Sequence, residues 1–243
     1  MFDQLTSRII GKTAVGSHNE GNRVAWLEKT LKAIPANSRI LDAGAGEQQF
    51  KRFCTHLKYV SQDFAQYVPE ELPSGLQMTK WDYGKLDIIS DIAGIPEADG
   101  SFDAIMCTEV FEHIINPREA VREFSRLLRP NGYLVITAPF CSLTHFAPYH
   151  FYTGFNRFFY EQELKTSGFE IVELSANGNY FEYLGQEVNR IPQMAKVYAG
   201  DSTTRIERTA MKIVLKMLER FSSKNKNSEE LLNYGLHILA RKV

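Results

Sequence analysis

An alternation of short apolar runs with helical patterns across residues 20–140 most constrains what this chain can fold into. A helix is expected over roughly Glu20 to Ala33, with Val24, Leu27 and Leu31 on one stripe and Pro35 ending it. Ser38 to Ala43 then reads as a short buried strand running into Gly44-Ala45-Gly46. The rhythm continues with a helix from about Glu47 to His56, a strand over Lys58 to Gln62 closed by Asp63, and a third strand near Leu86 to Ser90 ending at Asp91. Asp99-Gly100 turns into a buried strand, Phe102 to Cys107. Asn116 and Pro117 start a helix carrying Ala120, Val121, Phe124, Leu127 and Leu128, and Pro130 stops it. Asn131-Gly132 leads to a fifth strand, Tyr133 to Thr137. Strand, helix, strand at this spacing implies parallel strands joined by right-handed crossovers, with helices on both faces.

The C-terminal third departs from that rhythm. A short helix, Glu161 to Thr166, and a sixth strand, Phe169 to Leu174, precede two helical patterns, and a last strand follows at Tyr234 to Ala240. The better helical pattern puts Ile206, Ala210, Ile213, Val214, Met217, Leu218 and Phe221 on one stripe. The expectation is one domain over residues 1–243, with an N-terminal helical segment (1–36) and a helical insertion (176–230) covering one end of the sheet. Charge is balanced, 28 basic residues against 29 acidic, which gives no electrostatic case for a nucleic-acid partner. No apolar stretch approaches the ~20 residues that span a bilayer, and the start lacks the apolar core of a secretory signal, so a cytoplasmic location is expected. Cys54, Cys107 and Cys141 form no CxxC pair, which argues against a disulfide framework or structural zinc.

In an open parallel sheet, ligands bind beyond the carboxyl ends of the strands. Asp42-Ala43-Gly44-Ala45-Gly46 leaves the first strand there, and glycines let a backbone pass close to a ligand. Asp63 follows at the end of the next strand, where an acid meets ribose hydroxyls in dinucleotide folds, and Asp91 ends the third strand, where it can meet a base. A dinucleotide turn needs a third glycine, and Gln49 stands in its place. Glu47 would also repel phosphate at the helix start. These residues disfavour a nicotinamide dehydrogenase and suit an adenosine ligand that carries a sulfonium and no phosphate.

The same residues closely resemble class I S-adenosylmethionine-dependent methyltransferases, particularly the methyltransferase type 11 group. The first motif is Ile40-Leu41-Asp42-Ala43-Gly44-Ala45-Gly46, and the second-strand and adenine-side acids match Asp63 and Asp91-Ile92. The approach to the fourth strand is similar over Ile95-Pro96 and Ser101 to Ile105, and Glu109-Val110-Phe111-Glu112-His113-Ile114 looks like the signature that follows that strand. Arg126-Leu127-Leu128-Arg129-Pro130-Asn131-Gly132 resembles the Leu-Arg-Pro-Gly-Gly turn, with Asn for the first Gly. The resemblance implies an α/β, Rossmann-like, doubly wound sheet of seven strands, mostly parallel with an antiparallel last strand. It implies S-adenosyl-L-methionine as cofactor, with Asp42, Ala43, Gly44, Ala45 and Gly46 at the methionine part and Asp63 on the ribose. Phe64 would pack on the adenine, Asp91 and Ile92 would meet its edge, and Thr108 would lie near the methionine end.

Nine aromatic residues fall among the 21 from Phe140 to Tyr160, a density expected of a pocket floor or lid. Within it, Thr144-His145-Phe146-Ala147-Pro148-Tyr149-His150 resembles a His-x-x-Pro-x-Asp pattern of related methyltransferases, with His150 in place of the acid. Methyl transfer to a hydroxyl is helped by a base, and His145, His150 and His113 are the candidates, His145 first. No His/Cys spacing suggests a metal, and none is expected. Arg205, Arg208, Lys212, Lys216 and Arg220 beside an apolar stripe allow contact with a membrane or a lipid-linked substrate. The expected function is methylation of a small molecule, O-methylation ahead of N- or C-methylation, with a sugar or cell-surface glycan precursor first. A quinone or other lipid-linked aromatic is the alternative, and a cofactor-binding scaffold without catalysis the non-enzyme rival.

Overall fold

The structure, a computed structural model, describes residues 13–69 and 75–243. Residues 1–12 of the expected N-terminal segment lie outside that range. The elements are α1 (Asn19–Lys32), β1 (Arg39–Ala43), β2 (Lys58–Asp63), β3 (Ile88–Ile89), β4 (Phe102–Thr108), α2 (Pro117–Leu127), β5 (Leu128–Pro139), α3 (Arg157–Thr166), β6 (Phe169–Asn177), α4 (Tyr180–Met194), α5 (Arg205–Ser222) and β7 (Gly235–Lys242). The seven strands form one sheet in the order β3-β2-β1-β4-β5-β7-β6. Strands β1 to β5 pair in parallel, in registers such as Leu41↔Val60, Leu41↔Ile105 and Met106↔Val135. β7 runs antiparallel to β5, with His237 opposite Thr137. This is the Rossmann-like arrangement expected, its last strand reversed.

The chain divides into two compact units, one of residues 23–175 with 235–243, the other of residues up to 22 with 176–234. In the first, Ile40, Leu41, Ala104, Ile105, Met106, Leu134, Val135 and Ile136 have no exposed surface, as central parallel strands covered on both faces require. Leu27 and Leu31 of α1 join Ile34, Ile40, Phe50, Cys54, Ala104, Met106 and Val135 in one core. On α2, Ala120, Val121, Phe124 and Leu127 are buried at helical spacing. Arg126 on the same helix reaches Glu123 Oε1, Asp99 Oδ1 and the carbonyls of Ile95 and Glu97, so one guanidinium ties the helix to the chain entering β4. The strand order reverses between β1 and β4: β1 continues to β2 on one side and β4 to β5 on the other, opening a crevice beyond their carboxyl ends.

The second unit has a small core of its own, in which Val15, Leu215 and Leu218 pack with Phe181, Leu184 and Val188. Here the expected stripe on the second insertion helix is corrected. Leu215 and Leu218 are its buried residues, while Ile206 is 83% and Ile213 56% exposed. Leu215 and Leu218 at i, i+3 are the buried contacts of α5, and Phe221 of the expected stripe meets the Phe181 ring at 5.5 Å.

Two further elements differ from expectation. Glu47 to His56 is a run of turns with one 3-10 turn, Lys51–Phe53. Gln48 takes a φ of 57°, a left-handed conformation that interrupts a helix. β3 is only two residues long. At Asn116 the expected cap position is right, although its side chain makes no capping hydrogen bond.

Candidate active site

The turn after β1 is held by β2. The N–H groups of Gly44 and Ala45 both donate to the Gln62 carbonyl, at 2.9 Å each. Gly44 and Gly46 have φ of 76° and 49°, and both are closely covered. A Cβ at Gly44 would stand 2.5 Å from Val110 Cγ2, and one at Gly46 2.8 Å from the Trp81 ring. Asp63 ends β2 directly beside this turn and is 6% exposed. Its Oδ2 accepts the Gly46 N–H at 2.9 Å and its Oδ1 the Ala65 N–H at 3.0 Å. Burial raises its pKa, and these backbone donors oppose the rise. A carboxylate offers about four acceptor sites, so two remain to accept from a vicinal diol, which fits the ribose of an adenosyl cofactor.

Asp42 lies beneath the turn, 2% exposed, and accepts the Tyr59 hydroxyl at 2.5 Å. Burial lifts its carboxyl to about 7 despite that bond, and nearby Asp63 adds to the rise. Ala43 and Ala45 are buried too. Thr108 closes β4 opposite Thr137 of β5, at the crevice. Asp91 is exposed and accepts the Ala93 N–H at 2.8 Å, and Ile92 beside it is buried. The neighbouring Ser90 is joined to β2 through Gln62 Nε2, which donates to its carbonyl at 2.7 Å. Phe64 meets the Tyr149 ring edge-on at 4.9 Å, so it is already packed against the aromatic segment.

That segment reaches the glycine turn through two rings. Phe146 stacks on Tyr67 at 4.1 Å and meets Trp81, the residue covering Gly46, at 4.6 Å. On its other side, Phe146 lies 5.1 Å from the His113 ring. The three candidate histidines are brought together: ring centroids are 4.6 Å apart for His113 and His145, 5.0 Å for His145 and His150, and 6.0 Å for His113 and His150. Burial, then His145, holds His113 down at about 3, so its ring is neutral near pH 7. Burial and His145 also lower His150, whose Nε2 lies 3.2 Å from Ser142 Oγ.

Sequence reasoning missed several contributors. Trp81 lies between β2 and β3 outside any recognised motif. Glu112 was seen only as part of the signature after β4, yet it is 1% exposed and its carboxylate faces His113 and His145 at 3.6 and 3.8 Å. No metal-ligand spacing is visible along the sequence, but in the fold donor atoms of Glu112, His113 and His145 lie within 4.8 Å of one another. Folding brings His145 from a separate loop, which linear spacing does not reveal.

A doubly wound sheet with a glycine turn and an acid closing β2 is the arrangement of a class I methyltransferase that uses S-adenosylmethionine. The sequence profile of a methyltransferase domain family matches residues 17–174, and the chain belongs to that family. It is 26% identical to the demethylmenaquinone methyltransferase of Clavibacter sepedonicus over 200 residues, 79% of this chain and 75% of the relative. It is 32% identical over 110 residues to the ubiquinone biosynthesis O-methyltransferase of Xanthomonas axonopodis pv. citri, covering 42% of this chain and 44% of that one. The crystal structure of a SAM dependent methyltransferase from Archaeoglobus fulgidus shares the fold, with a TM-score of 0.55 at 17% identity and 99% of each chain covered.

Proposed function

We propose that this enzyme methylates a hydroxyl oxygen on a small ring-bearing acceptor, a quinol or other phenol of the quinone-precursor kind ahead of a sugar. The observation that carries the reading is the convergence of Glu112, His113, His145 and His150 beside the Phe146–Trp81 wall that abuts Gly46. The relative named for demethylmenaquinone favours a quinone-type ring as acceptor, and the ubiquinone biosynthesis O-methyltransferase favours its hydroxyl oxygen. A sugar or glycan precursor presents the same hydroxyl chemistry and is the second arm of the test.

Bound S-adenosylmethionine would supply an electrophilic sulfonium methyl to the acceptor oxygen, the C–O bond forming as the C–S bond breaks and the hydroxyl proton leaving by way of the histidine cluster to solvent. Gly44 and Gly46 let the backbone approach the methionine part, with Asp42, Ala43 and Ala45 shaping the turn and Thr108 closing the far side. Asp63 accepts the ribose hydroxyls, and Phe64, Asp91 and Ile92 take the adenine. The acceptor hydroxyl lies at the histidine cluster, with His145 and His150, the more exposed rings, at its open side. Phe146 and its neighbours exclude water from the transfer.

Incubation with S-adenosylmethionine and either an ortho-dihydroxyphenol or a panel of sugars tests this, with S-adenosylhomocysteine and the methylated product read by mass spectrometry. An O-methylated phenol is expected. Transfer to carbon or nitrogen would overturn the hydroxyl reading, and transfer to sugars alone would replace the phenol.

A further inference from the structure

We propose that Glu112, His113 and His145 bind a divalent first-row transition-metal ion whose open positions hold the acceptor's hydroxyl oxygen. The acceptor's part in this rests on the methyl-transfer reading above; binding of the metal does not.

Glu112 Oε1 lies 3.6 Å from His113 Nε2 and 3.8 Å from His145 Nε2. Those separations are too long for hydrogen bonds. They are close to the edge of a coordination tetrahedron, because metal–ligand bonds of ~2.1 Å put neighbouring donors about 3.4 Å apart. Each ring is oriented by its other nitrogen: His113 Nδ1 is 2.6 Å from the Tyr149 carbonyl and His145 Nδ1 is 2.8 Å from that of Leu143. A carbonyl only accepts, so each Nδ1 carries the proton and each Nε2 turns a lone pair toward Glu112. Metal-bound histidines are oriented by the same kind of outer contact.

Two lone pairs and a carboxylate facing one another in a buried setting repel unless a cation lies among them. A single proton would not bridge both separations. Glu112 is 1% exposed, and its Oε2 has no hydrogen-bond partner among the described residues. One carboxylate with two imidazoles suits zinc, iron or a similar ion and not magnesium or calcium, which take oxygen ligands. Three protein ligands leave positions open, as in catalytic sites. A hydroxyl bound there gives up its proton to solvent water while the oxygen keeps the electron pair, because the cation stabilises the oxyanion. His150, turned toward Ser142, stays outside the ligand set.

The test uses the tag-free full chain, stripped with chelator and titrated with Zn²⁺ by calorimetry and with Co²⁺ by visible absorption. One ion per chain is expected. Glu112→Gln and His145→Ala should each weaken Zn²⁺ binding by roughly 10–100-fold or more, and His56→Ala, in the turn before β2, should leave it unchanged. S-adenosylhomocysteine titrated into the same samples should bind all variants alike, which shows that they are folded at the cofactor site. Absence of stoichiometric metal binding, or equal binding by wild type and the two ligand variants, overturns the metal site whatever the cofactor result. Metal binding with no cofactor binding would uphold the site and overturn the methyl-transfer reading instead.

Discussion

The two oxygens of Asp63 hold the N–H groups of Gly46 and Ala65, so this side chain shapes the glycine turn beside which the ribose contact is proposed. Charge-assisted hydrogen bonds contribute roughly 1.5–3 kcal/mol each, and Asp63→Ala is predicted to weaken S-adenosylhomocysteine binding by at least about 10-fold in calorimetry. A loss of no more than twofold would show that Asp63 does not meet the ribose. Two other buried groups in the same unit titrate against each other. The Asp42 carboxyl is held at about 7 against an ordinary 3.8, so between those values the unfolded chain has lost a proton that the folded one keeps. Stability therefore falls as pH rises, by up to about 1.4 kcal/mol per pH unit. His237, stacked on Trp26 at 4.9 Å, is held at about 4 against 6.5, chiefly by burial. There the unfolded chain binds a proton that the folded one refuses, and stability rises with pH. Asp42→Asn should thus steepen the rise of Tm with pH between about 4.5 and 6, while His237→Gln should tilt it the other way. Parallel melting curves for both variants would refute these assignments. Asp63 was legible in the sequence because it ends a strand at a fixed interval from a glycine turn. Glu112 was not, because its meaning depends on His145, which only the folded loop brings near.

Among the elements, the segment from Phe140 to Tyr160 behaves as a wall of rings more than as a loop. Phe146 joins Tyr67 and Trp81 on one side to His113 on the other. Aromatic pairs contribute about 0.5–1.5 kcal/mol each beyond burial, and Phe146→Ala removes several at once. The expected result is a red shift of tryptophan emission, since Trp81 is one of only two tryptophans, together with a raised KM for the acceptor. Unchanged emission would mean that Trp81 does not lean on this ring in solution. α2 depends on a different device, the Arg126 fork. Arg126→Lys keeps the charge and loses the fork, and a cost of about 1–2 kcal/mol should appear in denaturant unfolding; a midpoint equal to wild type would count against the fork. The aromatic density was visible as composition, and the α2 stripe as periodicity. The helix expected over Glu47 to His56 was not formed, because Gln48 adopts a left-handed conformation that its side chain does not announce. On α5, periodicity overstated the buried face: Leu215 and Leu218 are its buried residues.

At the scale of the whole molecule, the order β3-β2-β1-β4-β5-β7-β6 explains why the site lies where it does, since β1 and β4 send their loops in opposite directions at one crevice. The central strands β1, β4 and β5 were readable as apolar runs because both faces are covered. The place of β7 was not, since no local pattern says which neighbours a strand will choose. Among the described residues no helix is long and apolar enough to cross a membrane. The insertion of β7 between β5 and β6 has a consequence for how the protein is made. Both neighbours are synthesised before it, so each waits on the ribosome with an unpaired edge, open to wrong partners, until a strand far along the chain arrives. Deleting residues 235–243 is therefore predicted to yield aggregate in place of a weakened enzyme, and a soluble, cofactor-binding truncation would show that the sheet closes without its seventh strand. Chaperone dependence during translation, more than stability once folded, would then set how much of this enzyme a cell obtains.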